Sequence, residues 1–318
     1  MRAGRILFVA VLTLVVLAFF AWFDGGNSLR KTVFAQALPA AYFSEYDRIA
    51  PSLYRVSGPV YAFEKGFTRS LVVRTSEGIA VIDSFNEPHA TALKAALERE
   101  FPGEPIRWVI LSHNHLDHIR GSELLGAQEV IGHSDVNQLV ADWPDAAPGV
   151  ATVTSPITGD RTLQLGDVSI EALYMPFSHS HTLYGIHIPA AGVVYAPDMM
   201  FVRMLPPFDF PDFYYPGYIR ALDRLLALGA AHYVPSHGDR GSVEDLKAYR
   251  TMTAEFQEAV RKRLVARGIE SATDGPLMRE ILGEAYDELE PKYGQWHGFN
   301  EMFVPKFGRH MGGTYLGY

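Results

Sequence analysis

The stretch LSHNHLDH, residues 111–118, places three imidazoles and one carboxylate within six positions. It directly follows an apolar run at residues 106–110, which predicts a buried strand. At the end of a strand, His113 and His115 point to the same side, because side chains in a strand repeat every two residues. The carboxylate and the third imidazole follow in a turn and can reach a second point nearby. Nitrogen and carboxylate ligands of this kind suit zinc, with manganese and iron as alternatives.

Four more ligand-type residues follow apolar, strand-like runs elsewhere in the chain. They are Asp83 after GIAVI, His179 in MPFSH, Asp198 after VVYAP and His237 in YVPSHG. Without Asp83, the set contains seven ligand-type residues at or near the ends of predicted strands. Seven such residues, four of them in one loop, are enough to hold two metal ions.

These motifs, taken together and in order, resemble those of the metallo-β-lactamase superfamily. Its signature His-x-His-x-Asp-His matches His113, His115, Asp117 and His118, and its later motifs match Asp83, His179, Asp198 and His237. The resemblance covers roughly residues 53 to 250. It implies an α/β fold, a four-layer αββα sandwich of two sheets between outer helices, with metal ions at one edge. Sequence patterning by itself predicts only a mixed α/β protein.

The resemblance also implies which residue does what. One metal would be held by His113, His115 and His179, the other by Asp117, His118 and His237, with Asp198 bridging both. The expected cofactor is a pair of Zn²⁺ ions, with manganese or iron as alternatives. Asp117 is the predicted catalytic residue, because a carboxylate beside the attacking water can take its proton. Asp83 is predicted to hold a ligand imidazole in the correct tautomer.

The segment SHSHT, residues 178–182, contains two candidate imidazoles. His181 with the following threonine matches a common His-Thr pair of the family, whereas His179 stands at the usual distance before the next strand. His179 is the preferred ligand, and His181 is then expected near the second metal or the substrate. Tyr184, next in the strand, is either part of the site or an ordinary packing residue.

Composition limits the classes of partner. The chain has 318 residues, a net charge of -8 and no cysteine. Thiolate ligands and disulfides are therefore excluded. No nucleic acid is expected as a partner, because the acidic balance opposes binding to phosphates.

The N-terminal segment predicts export. Residues 6–23 form an uncharged apolar run of 18 residues behind two arginines, close to the ~20 needed to span a bilayer. We expect an uncleaved membrane helix, with a cleaved signal peptide as the alternative. The arginines place the remainder outside the cytoplasm, in the periplasm and anchored to the inner membrane. The predicted domains are an anchor with linker at 1–38, a catalytic domain at 39–270 and an extension at 271–318 that packs on it.

Strand-like and helix-like runs alternate between residues 53 and 267, with helices expected at 219–228 and 243–267. The proline-rich, aromatic segment at residues 199–218 is expected to be a loop beside the site. Its aromatic side chains form either an apolar substrate wall or a packing layer. For the aromatic, glycine-containing tail at residues 291–318, contact between subunits of a homo-oligomer and a cap beside the site are both open interpretations.

The function that follows is a metal-dependent hydrolase, in which hydroxide generated at the metal ions attacks a small substrate. The aromatic loop and the exported location favour a partly apolar ester, lactone or related acyl compound. An exported β-lactam hydrolase is the alternative, although Asp198 and the missing cysteine are unusual for one. A hypothesis of another class is a membrane-anchored metal-binding protein without hydrolytic activity.

Overall fold

The computed structural model describes residues 42–43, 45–206, 213–269, 272 and 274–317. The apolar segment at 6–23, for which a membrane helix is predicted, lies outside these residues. None of the helices in the described part of the chain is long and apolar enough to cross a bilayer. The chain divides into Met1–Arg48 and the compact unit Ile49–Tyr318, to which every element named below belongs.

The described residues form strands throughout the first three quarters of this unit. The strands are β1 Ser52–Ser57, β2 Val60–Lys65, β3 Thr68–Thr75, β4 Gly78–Ile82, β5 Ile106–Ile110, β6 Glu129–His133, β7 Ser155–Ile157, β8 Arg161–Leu165, β9 Val168–Tyr174, β10 Tyr184–Ile188, β11 Val193–Ala196 and β12 His232–Pro235.

Helices lie between these strands and after them. The helices of the described residues are α1 Glu87–Glu100, α2 Leu116–Ile119, α3 Ser122–Leu125, α4 Asp135–Asp142, α5 Tyr215–Ala227, α6 Val243–Arg267, α7 Gly275–Tyr293 and α8 Phe299–Leu316, with a short 3₁₀ turn at Pro189–Ala191.

The strands form two mixed sheets. Sheet 1 has the order β1-β2-β3-β4-β5-β6-β7, and sheet 2 has the order β12-β11-β10-β9-β8. In sheet 1, β1 to β4 are antiparallel neighbours and β4 to β7 are parallel. In sheet 2, only the β11–β12 pair is parallel. The parallel pairs β4–β5 and β11–β12 carry most of the loops on which the candidate ligands lie, and His179 follows the antiparallel strand β9.

The main core lies between the two sheets. Alternate residues of β3, such as Leu71 and Val73, face Ile170 and Ile186 of sheet 2, and all four are fully buried. Each aliphatic side chain of this kind contributes about 1.5–3 kcal/mol when it is removed from water. The period-2 alternation of these strands therefore fixes which face of each sheet meets the other.

Helices cover the outer faces of both sheets. On sheet 1, Val72 points away from the other sheet and packs with Leu93 and Leu97 of α1. On sheet 2, Leu225 of α5 approaches Gly185 of β10 so closely that a Cβ at the glycine would lie 2.9 Å from the leucine side chain. The result is a mixed α/β architecture of two sheets with helices outside them.

The prediction of a loop over residues 199–218 is wrong at its C-terminal end. Helix α5 begins at Tyr215 rather than at Ile219, with Pro216 in its first turn. Proline is tolerated there because the first amides of a helix have no partner within the helix. Residues 207–212 of the segment lie outside the described residues.

The C-terminal residues are helical over much of their length. Helices α7 and α8 both contact α6. In α8, Phe303 meets Phe256 of α6 with the ring centroids 5.0 Å apart. The helix forms although Pro305 lies inside it. The division of the chain at 38/39 and 270/271 stays a prediction.

A glycine fixes where α5 meets the loop before His179. A Cβ on Gly217 would lie 1.5 Å from the carbonyl oxygen of Phe177, so Gly217→Ala must push the helix away. We expect the free energy of unfolding to fall by about 1–3 kcal/mol or more, measured by denaturant titration. The matched control is Gly308→Ala in α8, where nothing lies within 4 Å of the added Cβ. Replacing a helical glycine in open space with alanine raises the free energy of unfolding by about 0.4–1 kcal/mol. Equal effects of the two substitutions would contradict the contact.

Candidate metal centre

Five strands deliver ligand-type residues to one edge of the paired sheets. The parallel neighbours β4 and β5 end in the loops that carry Asp83 and residues 111–118. Strands β11 and β12 are parallel and lead to Asp198 and His237. Strand β9 leads to His179 and runs in the same direction as β11, because each is antiparallel to β10. The sheets are joined at this edge, where the Tyr184 amide donates to the Ser112 carbonyl over 2.8 Å.

The first group of ligand-type side chains consists of His113, His115, His179 and Asp198. One ligand atom from each lies within 4.8 Å of the others. His179 Nε2 lies 3.0 Å from His115 Nδ1 and 3.1 Å from Asp198 Oδ2. His113 Nε2 lies 4.0 Å from the same carboxylate oxygen. Four ligand atoms therefore converge on one point.

The second group consists of Asp117, His118, His237 and the same Asp198. His118 Nε2 lies 3.0 Å from His237 Nε2 and 3.2 Å from Asp198 Oδ2. His237 Nε2 lies 3.2 Å from Asp198 Oδ1. Asp117 Oδ2 completes the group, 3.6 Å from His237 Nε2. Asp198 thus belongs to both groups.

The donor set fits a divalent metal of the zinc class. The imidazole nitrogens of each group lie about as far apart as the ligands of one ion do. These nitrogens carry too few protons for every close pair to be joined by a hydrogen bond. His113 Nε2 is buried, points into the first group and has no hydrogen-bond partner. A buried polar atom of this kind normally has a partner, and a bound cation could supply one here. The residues could therefore hold metal ions.

Burial and the neighbouring charges together set the pKa values of the cluster. Burial lowers the pKa of His113 well below its usual value, and the neighbouring imidazoles add to this. Burial alone would raise the pKa of Asp198, but His118, His237 and His179 outweigh it and hold that pKa well below the usual range. The carboxylate shared by both groups is therefore ionised, which suits a ligand of two cations.

Asp83 supports the second group through hydrogen bonds on the side away from the ligand atoms. Its carboxylate accepts hydrogen bonds from the Ser112 amide at 2.9 Å and hydroxyl at 2.8 Å. It also accepts from His118 Nδ1 at 2.9 Å and from the Tyr195 hydroxyl at 3.1 Å. The bond from Nδ1 leaves Nε2 of His118 directed at Asp198. Asp83 thus sets the tautomer and orientation of a candidate ligand.

The backbone at these positions is under constraint. Asp83 and Asp198 have positive φ angles of 58° and 50°, as has Phe177 at 51°. Such angles are uncommon outside glycine and cluster at functional sites. Ser236 holds Asp198 in place, since its hydroxyl accepts from the Asp198 amide at 3.0 Å and donates to Oδ1 at 2.7 Å.

Aromatic side chains surround the centre on its His237 side. Phe67 is stacked on the His237 ring with centroids 4.9 Å apart, and Phe85 meets it edge-on at 5.4 Å. Two residues before His179, Phe177 is 68% exposed. The side chain of Asp117 is 51% exposed. The centre is therefore open to solvent at Asp117 and bordered by apolar rings.

Two of the candidate residues lie apart from the two groups. His181 is half-exposed, and its Nε2 lies 3.4 Å from Asp135 Oδ2. Tyr184 is fully buried in the core between the sheets, and its hydroxyl donates to the Ile157 carbonyl at 3.0 Å. The structure thus brings His179, not His181, to the first group, and Tyr184 packs.

Sequence reasoning missed several supporting residues. They are Ser112, Tyr195 and Ser236, which bond the two aspartates, and Arg69, which lies behind His237. Ser112 and Ser236 each directly precede a candidate histidine, which is a usable signal. Tyr195 is one residue among many buried aromatics and gives no such signal.

The structure therefore places two His/Asp groups that could hold metal ions, and that share a carboxylate, at one edge of a hydrolase-like fold. The sequence model of the metallo-beta-lactamase superfamily matches residues 64–237. The chain therefore belongs to this superfamily. A solved metallo-beta-lactamase from Pontibacter korlensis has the same fold. The TM-score is 0.56 at 19% identity, over 64% of this chain and 99% of that one.

Two curated relatives come from Nocardioides sp. (strain JS1661). The 2,4-dinitroanisole O-demethylase subunit alpha is 27% identical over 61% of this chain. The subunit beta of the same name is 26% identical over 78% of this chain and 78% of its own length. The chain spans only 59% of the length of the alpha subunit.

Proposed function

We propose that the protein is a metal-dependent hydrolase with two zinc ions, acting on a small, partly apolar ester, lactone or related acyl compound. One observation carries the proposal. Two ligand groups share the buried Asp198, while the edge at Asp117 stays open to solvent. This arrangement suits a centre that holds two cations side by side and admits a substrate.

The side chains have distinct parts in this reaction. When bound, the two ions supply hydroxide near neutral pH and positive charge for the developing oxyanion. Asp198 keeps the two groups together, and Asp83 aims the His118 imidazole at it through the bond to Nδ1. Asp117 is half-exposed beside the second group, where its carboxylate can take the proton of the attacking water.

The surroundings favour an uncharged, partly apolar substrate. Phe67 and Phe85 pack around His237, and the exposed Phe177 lies two residues before His179. Aromatic rings with a few polar groups are typical walls of small-molecule sites. The net charge of -8 opposes polyanionic substrates.

A second candidate reaction is the hydrolysis of an electron-poor aryl methyl ether. The relatives named as 2,4-dinitroanisole O-demethylase subunits favour it. Water would attack the ring carbon that bears the methoxy group, and the products would be a phenol and methanol. This attack also needs an activated water and an apolar wall, so the same residues serve both reactions.

Three expectations from the sequence stay part of the proposal. The protein is exported and held at the inner membrane by residues 6–23. A homo-oligomer is a further expectation, and a β-lactam remains an alternative substrate. The competing class, a metal-binding protein without activity, has no separate observation in its favour.

The test is proton release by the full-length, zinc-loaded protein, recorded by pH-stat on lactones, esters, thioesters, β-lactams and an electron-poor aryl methyl ether. We expect release from a lactone or an ester that stops after chelation and returns with zinc. His115→Ala should abolish it, whereas the control His232→Ala, at an exposed histidine, should keep it. Release from the ether alone would favour the second candidate. No release from any of the compounds would contradict the proposal.

A further inference from the structure

The loop that carries His237 is paired with the start of β3. The Arg69 amide donates to the Ser236 carbonyl at 2.7 Å, and the Gly238 amide donates to the Phe67 carbonyl at 2.9 Å. Between these bonds, Thr68 and His237 form an isolated bridge. The backbone of residues 236–238 is thereby held against a strand of the other sheet.

The Arg69 side chain also holds this loop, through hydrogen bonds to two backbone carbonyls. Its Nη1 donates to the Pro235 carbonyl at 3.0 Å, and its Nη2 donates to the Gly238 carbonyl at 2.9 Å. These two carbonyls flank the Ser236–His237 pair, and Gly238 turns with a φ of 73°. Arg69 is only 2% exposed. One planar guanidinium thus holds both sides of the His237 turn through two nitrogens, whereas a lysine has a single nitrogen and lacks this planar fork.

The charge of Arg69 is balanced inside the protein. Its partner across the β2–β3 ladder is Glu64, and their side chains meet at 3.1 Å. Arg240 also donates to Glu64, through Nε to the same oxygen, Oε2, at 3.1 Å and through Nη2 to Oε1 at 2.5 Å. Its own side chain is 55% exposed and lies over the ring of Tyr54. A buried ion pair stabilises weakly, if at all, over an apolar pair. The geometry of its two bonds to the loop, rather than stability, accounts for a buried arginine here.

We propose that Arg69 is the positioning residue of the second metal group: it holds the backbone on both sides of His237, so that Nε2 faces His118 and Asp198. The inference rests on the proposed function for the presence of a second ion. It predicts that the affinity for that ion depends on the guanidinium, although Arg69 touches no ligand atom.

The test uses Arg69→Lys, which keeps the buried charge, with Arg69→Gln as a second variant. Competition of the full-length protein with a zinc chelator gives one dissociation constant for each ion. We expect affinity for the second ion to fall by about 10- to 100-fold, as for other residues that orient a ligand, with the first ion unchanged. His237→Ala, which removes a ligand of the second group only, identifies which ion is lost. Amide exchange of residues 236–238, measured at saturating zinc, should become faster.

The matched control is Arg240→Met, which removes the other partner of Glu64 without touching the loop carbonyls. It should leave both zinc affinities unchanged. Unchanged affinity for the second ion in Arg69→Lys would overturn the inference, as would an equal loss of both ions, the result of general destabilisation. A wild-type protein that binds no second ion contradicts the proposed two-zinc centre itself. The two failures are therefore distinguishable.

Discussion

Asp198→Ala is expected to remove both ions and to lower the rate of hydrolysis by more than about 100-fold, the upper end for residues that only support a ligand. The reason is that Asp198 is the one residue common to both ligand groups. Its two oxygens lie 3.1–3.2 Å from His118, His179 and His237. Without the carboxylate, both groups lose a negative ligand and neighbouring imidazoles lose their counter-charge.

Metal analysis and pH-stat rates measure this effect on protein shown to be folded by its unfolding transition. The control is Asp223→Ala, which removes an exposed aspartate paired with Arg250 and costs about 0–1 kcal/mol. His237→Ala should lose one ion only, because it belongs to one group. Asp198→Ala protein that retains two ions would show that the carboxylate is not shared.

Asp83→Ala is expected to lower the free energy of unfolding by about 3–5 kcal/mol, as when one partner is removed from a buried charged pair. The carboxylate is fully buried and accepts from Ser112, His118 and Tyr195. Alanine leaves the Ser112 amide and His118 Nδ1 without an acceptor, whereas the Tyr195 hydroxyl keeps the Arg69 carbonyl at 2.9 Å. Because the His118 ring is no longer oriented, zinc affinity should fall by about 10- to 100-fold as well.

Denaturant unfolding and chelator competition measure the two effects. Asp167→Ala is the control, since this exposed aspartate accepts from the Ser76 amide at the surface, and its loss should cost little. Asp83→Asn keeps an acceptor for Ser112 but can turn an NH₂ group toward His118, so it should lose zinc affinity with less loss of stability. If Asp83→Ala and Asp167→Ala unfold alike, the proposed role of Asp83 is wrong.

Local patterning predicted many of the strands and helices but not all of them, whereas the arrangement of two sheets was implied by the family resemblance alone. Strands β3, β4 and β5 follow from short apolar runs bounded by turns. Strand β2 was not predicted, although it is one of the best-paired strands through its ladders to β1 and β3. Helix α8 was not predicted either, because Pro305 and several glycines oppose a helix. Burial of one face of α8 against α6 outweighs that low propensity.

The candidate ligand residues could be predicted because most are marked locally. Residues 111–118 form one dense motif, and the others follow apolar runs. The supporting contacts have no such mark, since they join distant parts of the chain. Arg69 meets the carbonyl of Pro235 across 166 positions, and Tyr195 meets Asp83 across 112. Only the pairing of the two sheets brings these residues together.

The central claim is that two metal ions occupy the two groups that share Asp198. The most direct measurement is the metal content of the full-length protein after zinc loading and gel filtration, determined by mass spectrometry. We predict close to two zinc ions per chain, close to one for His237→Ala and close to none for Asp198→Ala. Wild-type protein that holds no stoichiometric metal would contradict the account.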